Sequence, residues 1–380
     1  DLFGGRTMFA VGLGVFTFGS LLCGYADTML QLVLYRAVQG IGAGLVMPFP
    51  LIIAGDLYPV EKRGKIQALF SAMWGLSAVL APIIGSFFVA WLNWRWIFWV
   101  NIPLCAVAFV FLFAYKDAYT PRKAAVDVGG AALFTLAIGL LLGVTALPEY
   151  GLPLGAAGAL LLAAFWLYER RHRSPIVPLS LLHNRPNRWM IVIGLLSTAA
   201  LFGTSSYIPL YLQHEGYSIL LSAMPLLTMS IGWMLTSVPA GKWVLRYCYG
   251  PLITAANALV AVSGVMLALL WSGAGLVYTS AAMFIQGVGY GLIFTVLTIG
   301  SQQLVGPHEK GVSTSLQLFA RNIGSAISVT VMGALLNASP VMIDGMRYLF
   351  RYGLIVAVAT LLVGLVMYRA LSPAAAATAE

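Results

Sequence analysis

Gln39-Gly40-Ile41-Gly42-Ala43-Gly44-Leu45 recurs as Gln286-Gly287-Val288-Gly289-Tyr290-Gly291-Leu292, 247 residues further along the chain. The same offset carries Lys62-Arg63-Gly64 onto Glu309-Lys310-Gly311, and Leu69 onto Leu316. A register held over about thirty residues marks a duplicated architecture, so the fold is read as two related halves.

Composition says where those halves live. Hydrophobic residues make up 60% of the chain and charged residues 9%, against about 25% charged in soluble domains. Long apolar runs alternate with short clusters of charge, Pro and Gly. The stretch from Ala124 to Leu147 carries a single charge, Asp127. A helix needs about 20 apolar residues to cross a bilayer. A membrane barrel would instead show short alternating segments, and none occur. The chain reads as an all-α membrane protein. Twelve spans are expected, near 7–26, 28–55, 65–92, 95–115, 126–147, 153–170, 188–213, 217–244, 251–271, 276–304, 311–337 and 347–369.

Basic residues set the orientation. Alternate loops, taken with both termini, hold 16 of the 21 Lys and Arg, and that side is expected to be cytoplasmic. The net charge of +9 is therefore a topology signal spread over many short loops, not a nucleic-acid surface. Three scattered cysteines, Cys23, Cys105 and Cys248, suggest neither a disulfide framework nor a metal cluster. The four histidines have no metal-ligand spacing. No cluster of Ser, His, Asp or Glu inside the spans suggests an enzyme.

The repeat also works as a ruler. Its first copy falls on the second span and its second copy on the tenth. Eight spans separate them, where two adjoining six-helix units would place six. The second copy has three spans before it in its half, and the first copy only one. The expectation is 12 spans present of 14, with two missing at the front and two inserted between the halves. The domains are then 1–116, an N-terminal bundle lacking its first two helices; 117–184, the inserted pair with its loop; and 185–380, a six-helix bundle with a short tail.

Charge inside a span is the sharpest functional signal. Arg36 lies about nine residues from the outer end of its span, roughly 13 Å at 1.5 Å per residue. A guanidinium at that depth costs several kcal/mol unless it faces protein or water. One reading makes it a fixed positive charge beside a cavity, with Gln39 and Gly40, tuning a proton-carrying carboxylate. The other makes it structural, held by neighbouring carbonyls or snorkelling to the interface. The glycine run follows no strand, so it is not a phosphate loop. Arg321, 11 residues past Lys310, is the second deep charge. It either favours anionic or polar groups in the cavity or bonds carbonyls. No Asp or Glu lies in the middle of any span.

Two further segments stand out. Gly75 to Ser86 places small residues at Ser77, Ala81 and Gly85, four apart on one face, beside the helix-kinking Pro82. This is read as a bendable, close-packed seam or as ordinary small-residue packing. Asp1-Leu2-Phe3-Gly4-Gly5-Arg6 reads as a cytoplasmic turn whose Asp caps a helix or pairs with a cation.

Taken together these motifs resemble the major facilitator superfamily, specifically its 14-helix drug/proton antiporter branch. Arg36 with Gln39-Gly40 matches the motif of family helix four. Asp1 to Arg6 matches the end of the loop motif after family helix two. Gly75 to Ser86 matches the antiporter motif, with Ala81 and Ser86 where Gly is usual. Trp94-Arg95-Trp96-Ile97-Phe98-Trp99-Val100-Asn101-Ile102-Pro103 is typical of the 14-helix branch.

The resemblance implies two bundles rocking about a central site, with protons exchanged for an amphipathic compound. Arg36 would tune coupling. Asp1, Gly4 and Arg6 would belong to the cytoplasmic gate. Gly75, Pro82 and Gly85 would supply flexibility, and the coupling carboxylate would sit on a missing helix. It further implies a monomer in a bacterial cytoplasmic membrane, both native termini inside, with no cofactor beyond the proton gradient. The partners would be a small amphipathic substrate, protons and the lipid bilayer. An exporter of an endogenous metabolite, lipid or siderophore is the alternative within the same fold.

Overall fold

In the computed structural model the described residues are 4–50, 53, 58–59, 62, 65–66, 69–70, 73, 76–77, 80–81, 84–85, 87–88, 91–114, 127–146, 148–172, 181, 184–271, 273–306 and 309–370. Among them no strand occurs, and nine helices are long and apolar enough to cross a membrane. Helices coincide with eleven of the twelve expected spans. The third, 65–92, falls largely outside the described residues. The chain forms two compact units. One comprises 1–57 with 80–124, and the other 58–79 with 125–380.

The first unit holds α1 (Gly5–Gly24), α2 (Met29–Val46) and α3 (Asn101–Ala114). A tight four-residue link joins α1 to α2. Thr28 caps α2 by accepting from the Gln31 N–H at 3.2 Å, while the Gln31 side chain accepts from the Thr28 N–H at 3.3 Å. This capping box satisfies donors that the helix end would otherwise leave exposed. Arg95 closes the same end. It donates to the Ala26 carbonyl at 3.0 Å, pairs with Asp27 at 3.1 Å, and lies over the Trp94 ring at 4.8 Å. Lipid tails are as apolar as leucine, so helices in a membrane associate by close packing of small residues. Here a Cβ on Gly42 would collide with the backbone of Phe16, and one on Gly12 would sit 2.7 Å from Leu45 Cβ.

The second unit holds α4 (Val128–Ala146), α5 (Gly151–Glu169), α6 (Arg185–Leu201), α7 (Thr204–His214), α8 (Met224–Tyr247), α9 (Tyr249–Ala268), α10 (Leu276–Gln303), α11 (Lys310–Asn337) and α12 (Met342–Ala370). Its centre is α10, buried without a break from Gly289 to Gln302. A helix apolar on all sides belongs in a core. Gly287 and Gly291 seat the backbone of α8 at Met229 and Trp233, and Gly289 seats α9 at Val260 and the Ala256 carbonyl. The hairpin of α4 and α5 reaches α11 through Phe134, whose ring centroid lies 5.1 Å from Phe165 and 5.0 Å from Phe319.

The duplication is visible in these contacts. α2 begins at Met29 and α10 at Leu276, 247 residues apart. The loop before α10 is three residues longer than the loop before α2, so the preceding helices match at an offset of 244. Under that register Gly12 and Phe16 become Ala256 and Val260, the positions that Gly289 meets. Among the described residues one expected span is divided into two helices of 17 and 11 residues. The span at 188–213 is broken at Phe202-Gly203 into α6 and α7.

The packing predicts that Gly289→Leu and Gly42→Leu each destabilise the protein by about 1–3 kcal/mol or more through overpacking. Gly139→Leu should be neutral, since no described atom lies within 4 Å of a Cβ there. Thermal unfolding of detergent-purified variants reads the difference.

Candidate functional site

The first copy of the repeat builds a polar relay. Arg36 Nη1 donates to Gln39 Oε1 at 2.6 Å, and Gln39 Nε2 donates to Ser20 Oγ at 2.6 Å. Arg36 and Gln39 are three residues apart on α2, hence neighbours on one helix face. Ser20 reaches them from α1 because Gly19 lets the two backbones meet; a Cβ on Gly19 would lie 2.6 Å from Gln39 Cα. Gln39 is 3% exposed and Ser20 fully buried. Arg36 also lies 5.9 Å from the centroid of the Phe98 ring. A guanidinium has five donors, and the relay uses one. Among the described residues no carboxylate pairs with Arg36. The geometry therefore fixes a positive charge that no described carboxylate compensates. Gly40 is exposed and has no described atom within 4 Å of a Cβ, so it takes no part in the α1–α2 contact.

The second copy repeats the junction without the charge. Gln286 Nε2 donates to the Leu201 carbonyl at 2.9 Å and to Thr204 Oγ1 at 3.0 Å, and Ser263 Oγ donates to Gln286 Oε1 at 3.5 Å. By the register above, Ser263 stands where Gly19 stands in the first half. Met283 replaces Arg36, with Thr204 Oγ1 3.8 Å from its sulfur. Here the amide satisfies a carbonyl freed by the break between α6 and α7, as a membrane interior requires.

Of the expected gate residues, Asp1 lies outside the described residues. Gly4 precedes α1 at φ 79° and ψ 142°, a conformation that side chains disfavour. Arg6 Nη2 donates to the Phe113 carbonyl at 3.4 Å and its guanidinium sits 5.8 Å over the Phe113 ring, which ties α1 to the end of α3. On the antiporter seam, Gly75 and Pro82 lie outside the described residues. Ser77 and Ala81 are exposed, and no described atom lies within 4 Å of a Cβ on Gly85.

Among the described residues Arg321 makes none of the carbonyl bonds that the structural reading asks for. Among the described residues it has no hydrogen-bond or ion-pair partner. Its Cζ instead lies 3.7 Å from the centroid of the Phe294 ring. A desolvated cation–π contact is worth about 2 kcal/mol, less than the several kcal/mol an unpaired guanidinium costs inside a membrane.

Sequence reading missed a cluster at the start of α4. Asp127 Oδ1 accepts from the Gly130 N–H at 2.7 Å and from Tyr168 OH at 3.1 Å, and Oδ2 lies 3.7 Å from His172 Nδ1. Asp127 thereby caps α4 and fastens it to α5, whose Glu169 is also buried. Burial pushes the Asp127 carboxyl up. The bonds it accepts from Gly130 and Tyr168, the adjacent His172 and a bond accepted from the Glu169 carboxyl outweigh it and hold the group below the usual carboxylate range. Asp three residues before a helical N–H is a sequence signal for a cap; the partners some forty residues later have no such signal.

Two outcomes follow. Gln39→Leu strips Arg36 of its acceptor and Ser20 of its donor, and should lower stability by about 1–3 kcal/mol in denaturant titration of the purified protein. For Asp127, a depressed folded pKa means its stabilisation is present above the unfolded value of about 3.9 and is lost as pH falls through the folded value. Hydrogen-exchange protection in the first turn of α4 should therefore hold from neutral pH to about 5 and fall in more acidic solution. It should already be low in Asp127→Ala.

A sequence model of the Major Facilitator Superfamily matches residues 1–329. Multidrug transporter protein MdtP of Bacillus subtilis (strain 168) is 31% identical over 349 residues, 89% of this chain and 64% of that protein. Multidrug resistance protein 3 of the same organism is 31% identical over 345 residues, 88% of this chain and 67% of that protein. The chain thus spans about two thirds of the length of these curated relatives. A proton:xylose symporter, XylE, bound to 6-bromo-6-deoxy-D-glucose, superposes with a TM-score of 0.67 over 97% of this chain and 80% of its own, at 13% identity. At that identity the likeness is one of fold. The helical membrane architecture, the duplicated Gln-Gly-x-Gly-x-Gly junction and the match over most of the sequence agree: this chain belongs to the Major Facilitator Superfamily.

Proposed function

We propose that the protein exports amphipathic compounds from the cell in exchange for protons, by alternating access. The observation that carries this reading is the Arg36–Gln39–Ser20 relay. It holds a cation on one helix face with most of its donors unpartnered among the described residues, and Met283 stands at the matching position of the second half. The names of the relatives as multidrug transporters support the substrate class.

Each residue has a role that follows from its geometry. Gln39 fixes the Arg36 side chain, so the charge does not swing away to bulk solvent. Ser20 fixes Gln39 in turn and couples the assembly to α1. A positive charge held in this way favours the ionised form of any carboxylate that approaches it. It thus promotes proton release, and it repels a cationic substrate until a carboxylate compensates it. Proton and substrate then compete for one electrostatic environment, which is the physical content of exchange. Among the described residues no Asp or Glu lies in the middle of a helix. The relay is thus the half of the coupling apparatus that these residues supply.

The test is a resistance panel in an efflux-deficient bacterium expressing the protein or its Arg36→Ala variant at matched membrane levels. The expected result is protection against several lipophilic cations, reduced at least tenfold by Arg36→Ala and largely restored by Arg36→Lys. Equal protection from the protein and Arg36→Ala would contradict the role given to Arg36. Protection against no lipophilic cation would favour an endogenous metabolite, lipid or siderophore as cargo.

A further inference from the structure

The phrase from Trp94 to Pro103 lies outside the relay, but one of its rings reaches it. Trp96–Trp99 forms a short helical turn before α3, and its neighbours anchor it. Arg95 ties the turn to the α1–α2 link through the Ala26 carbonyl and Asp27, and covers the Trp94 ring. Trp99 packs on the end of α1. Its ring centroid lies 5.6 Å from that of Tyr25, and a Cβ on Gly24 would collide with the indole. Trp96 meets Trp99 edge to face at 5.6 Å. The turn is thus fastened on both sides of Phe98. The Phe98 ring has two neighbours of its own. Trp94 meets it with centroids 6.2 Å apart and planes at 87°, and the Arg36 Cζ lies over it, 5.9 Å from its centroid.

A guanidinium held by one hydrogen bond still pivots about that bond, and its long stem lets it reach towards water. A second contact from another element removes that freedom. A ring face suits the task, because its quadrupole attracts a cation within about 6 Å of the centroid. The ring takes up none of the hydrogen-bond donors and, unlike a carboxylate, none of the charge. Gln39 holds Arg36 from within α2, and Phe98 holds it from the turn before α3; both belong to the first unit. Ser20 fixes the amide on one side. Trp94, clasped by Arg95, fixes the ring on the other.

From this arrangement we infer that Phe98 is a positioning residue for Arg36: its ring and the Gln39 amide together hold the guanidinium in place without neutralising it. The contact stands on the geometry. Its consequence for export rests on the transport reading above, which it deepens by giving the Arg36 charge a second support, outside the repeat.

The experiment replaces Phe98 with a ring-trifluorinated phenylalanine, which keeps the ring's shape and cancels the negative potential of its face. Urea unfolding of the detergent-purified protein is the readout. The unfolding constant should rise about threefold in the otherwise unaltered protein and stay unchanged in an Arg36→Met background. The same replacement at Phe109, an α3 ring over which no described cation lies, should change nothing. An unfolding constant that ignores fluorination at Phe98 overturns the inference. So does an equal response in both backgrounds, because the ring would then serve packing alone. If Arg36→Met cannot be purified, the comparison of Phe98 with Phe109 decides, and equal responses at the two rings overturn the inference. In cells, Phe98→Leu should lower resistance at least threefold at matched membrane levels, and Phe98→Tyr should keep it. Resistance lost in Arg36→Ala but untouched in Phe98→Leu also overturns the inference. Resistance untouched in both contradicts only the transport reading, since unfolding reads the Arg36–Phe98 contact without transport.

Discussion

A side-chain amide buried in hydrocarbon has no water to fall back on, so its partners must be supplied by neighbouring helices. Gln39 and Gln286 impose that demand at matching points of the two halves, and much of the described structure meets it. Gln39 takes Ser20 on one side and Arg36 on the other. Gln286 takes Ser263, Thr204 and the carbonyl of Leu201. In each half the glycine three residues on removes the bulk that would hold the preceding helix too far away for the bond to form. Glycines and glutamine are one device: close approach makes the polar contact possible, and the polar contact specifies the register of the approach.

Sharing that device leaves the halves free to differ in charge. Where the first half has Arg36, the second has Met283, whose thioether fills space next to Thr204. The second half places its own guanidinium elsewhere, on α11, against an aromatic face rather than an amide. The two halves thus share a scaffold and differ in where it carries charge. The cost of each unpaired cation inside the membrane is several kcal/mol. A fold tolerates such costs where function depends on them.

Much of this architecture was legible in the sequence, because a long apolar helix declares itself by composition and an internal repeat by its spacing. What was not legible depended on partners far along the chain. The break at Phe202-Gly203 is invisible to hydropathy because its loose carbonyl is satisfied by Gln286, 85 residues later. Asp127 looked like a residue at the edge of a span until Tyr168 was found 41 residues on. Arg36 stood out in the sequence as a charge within an apolar run, but its acceptor chain through Gln39 to Ser20 could not be read from spacing alone. For Arg321 the sequence left two readings open, and the described structure supplies no carbonyl for the structural one. The residues read as a bendable seam, with Gly75 and Pro82 at its centre, and the Asp1 latch lie beyond what the described residues reach.

The account stands on the two junctions being the same junction. Cysteine crosslinking in native membranes tests this directly, with Cys23, Cys105 and Cys248 replaced by alanine. One variant carries Ser20→Cys with Gln39→Cys, and the other carries Ser263→Cys with Gln286→Cys, each pair replacing the hydroxyl and the amide that meet across its junction. A short bis-thiosulfonate reagent should link both pairs with similar efficiency, and pairs displaced by two residues along either helix should link poorly. Efficient linking of one pair and not the other would contradict a shared junction, and with it the reading of the chain as one scaffold used twice.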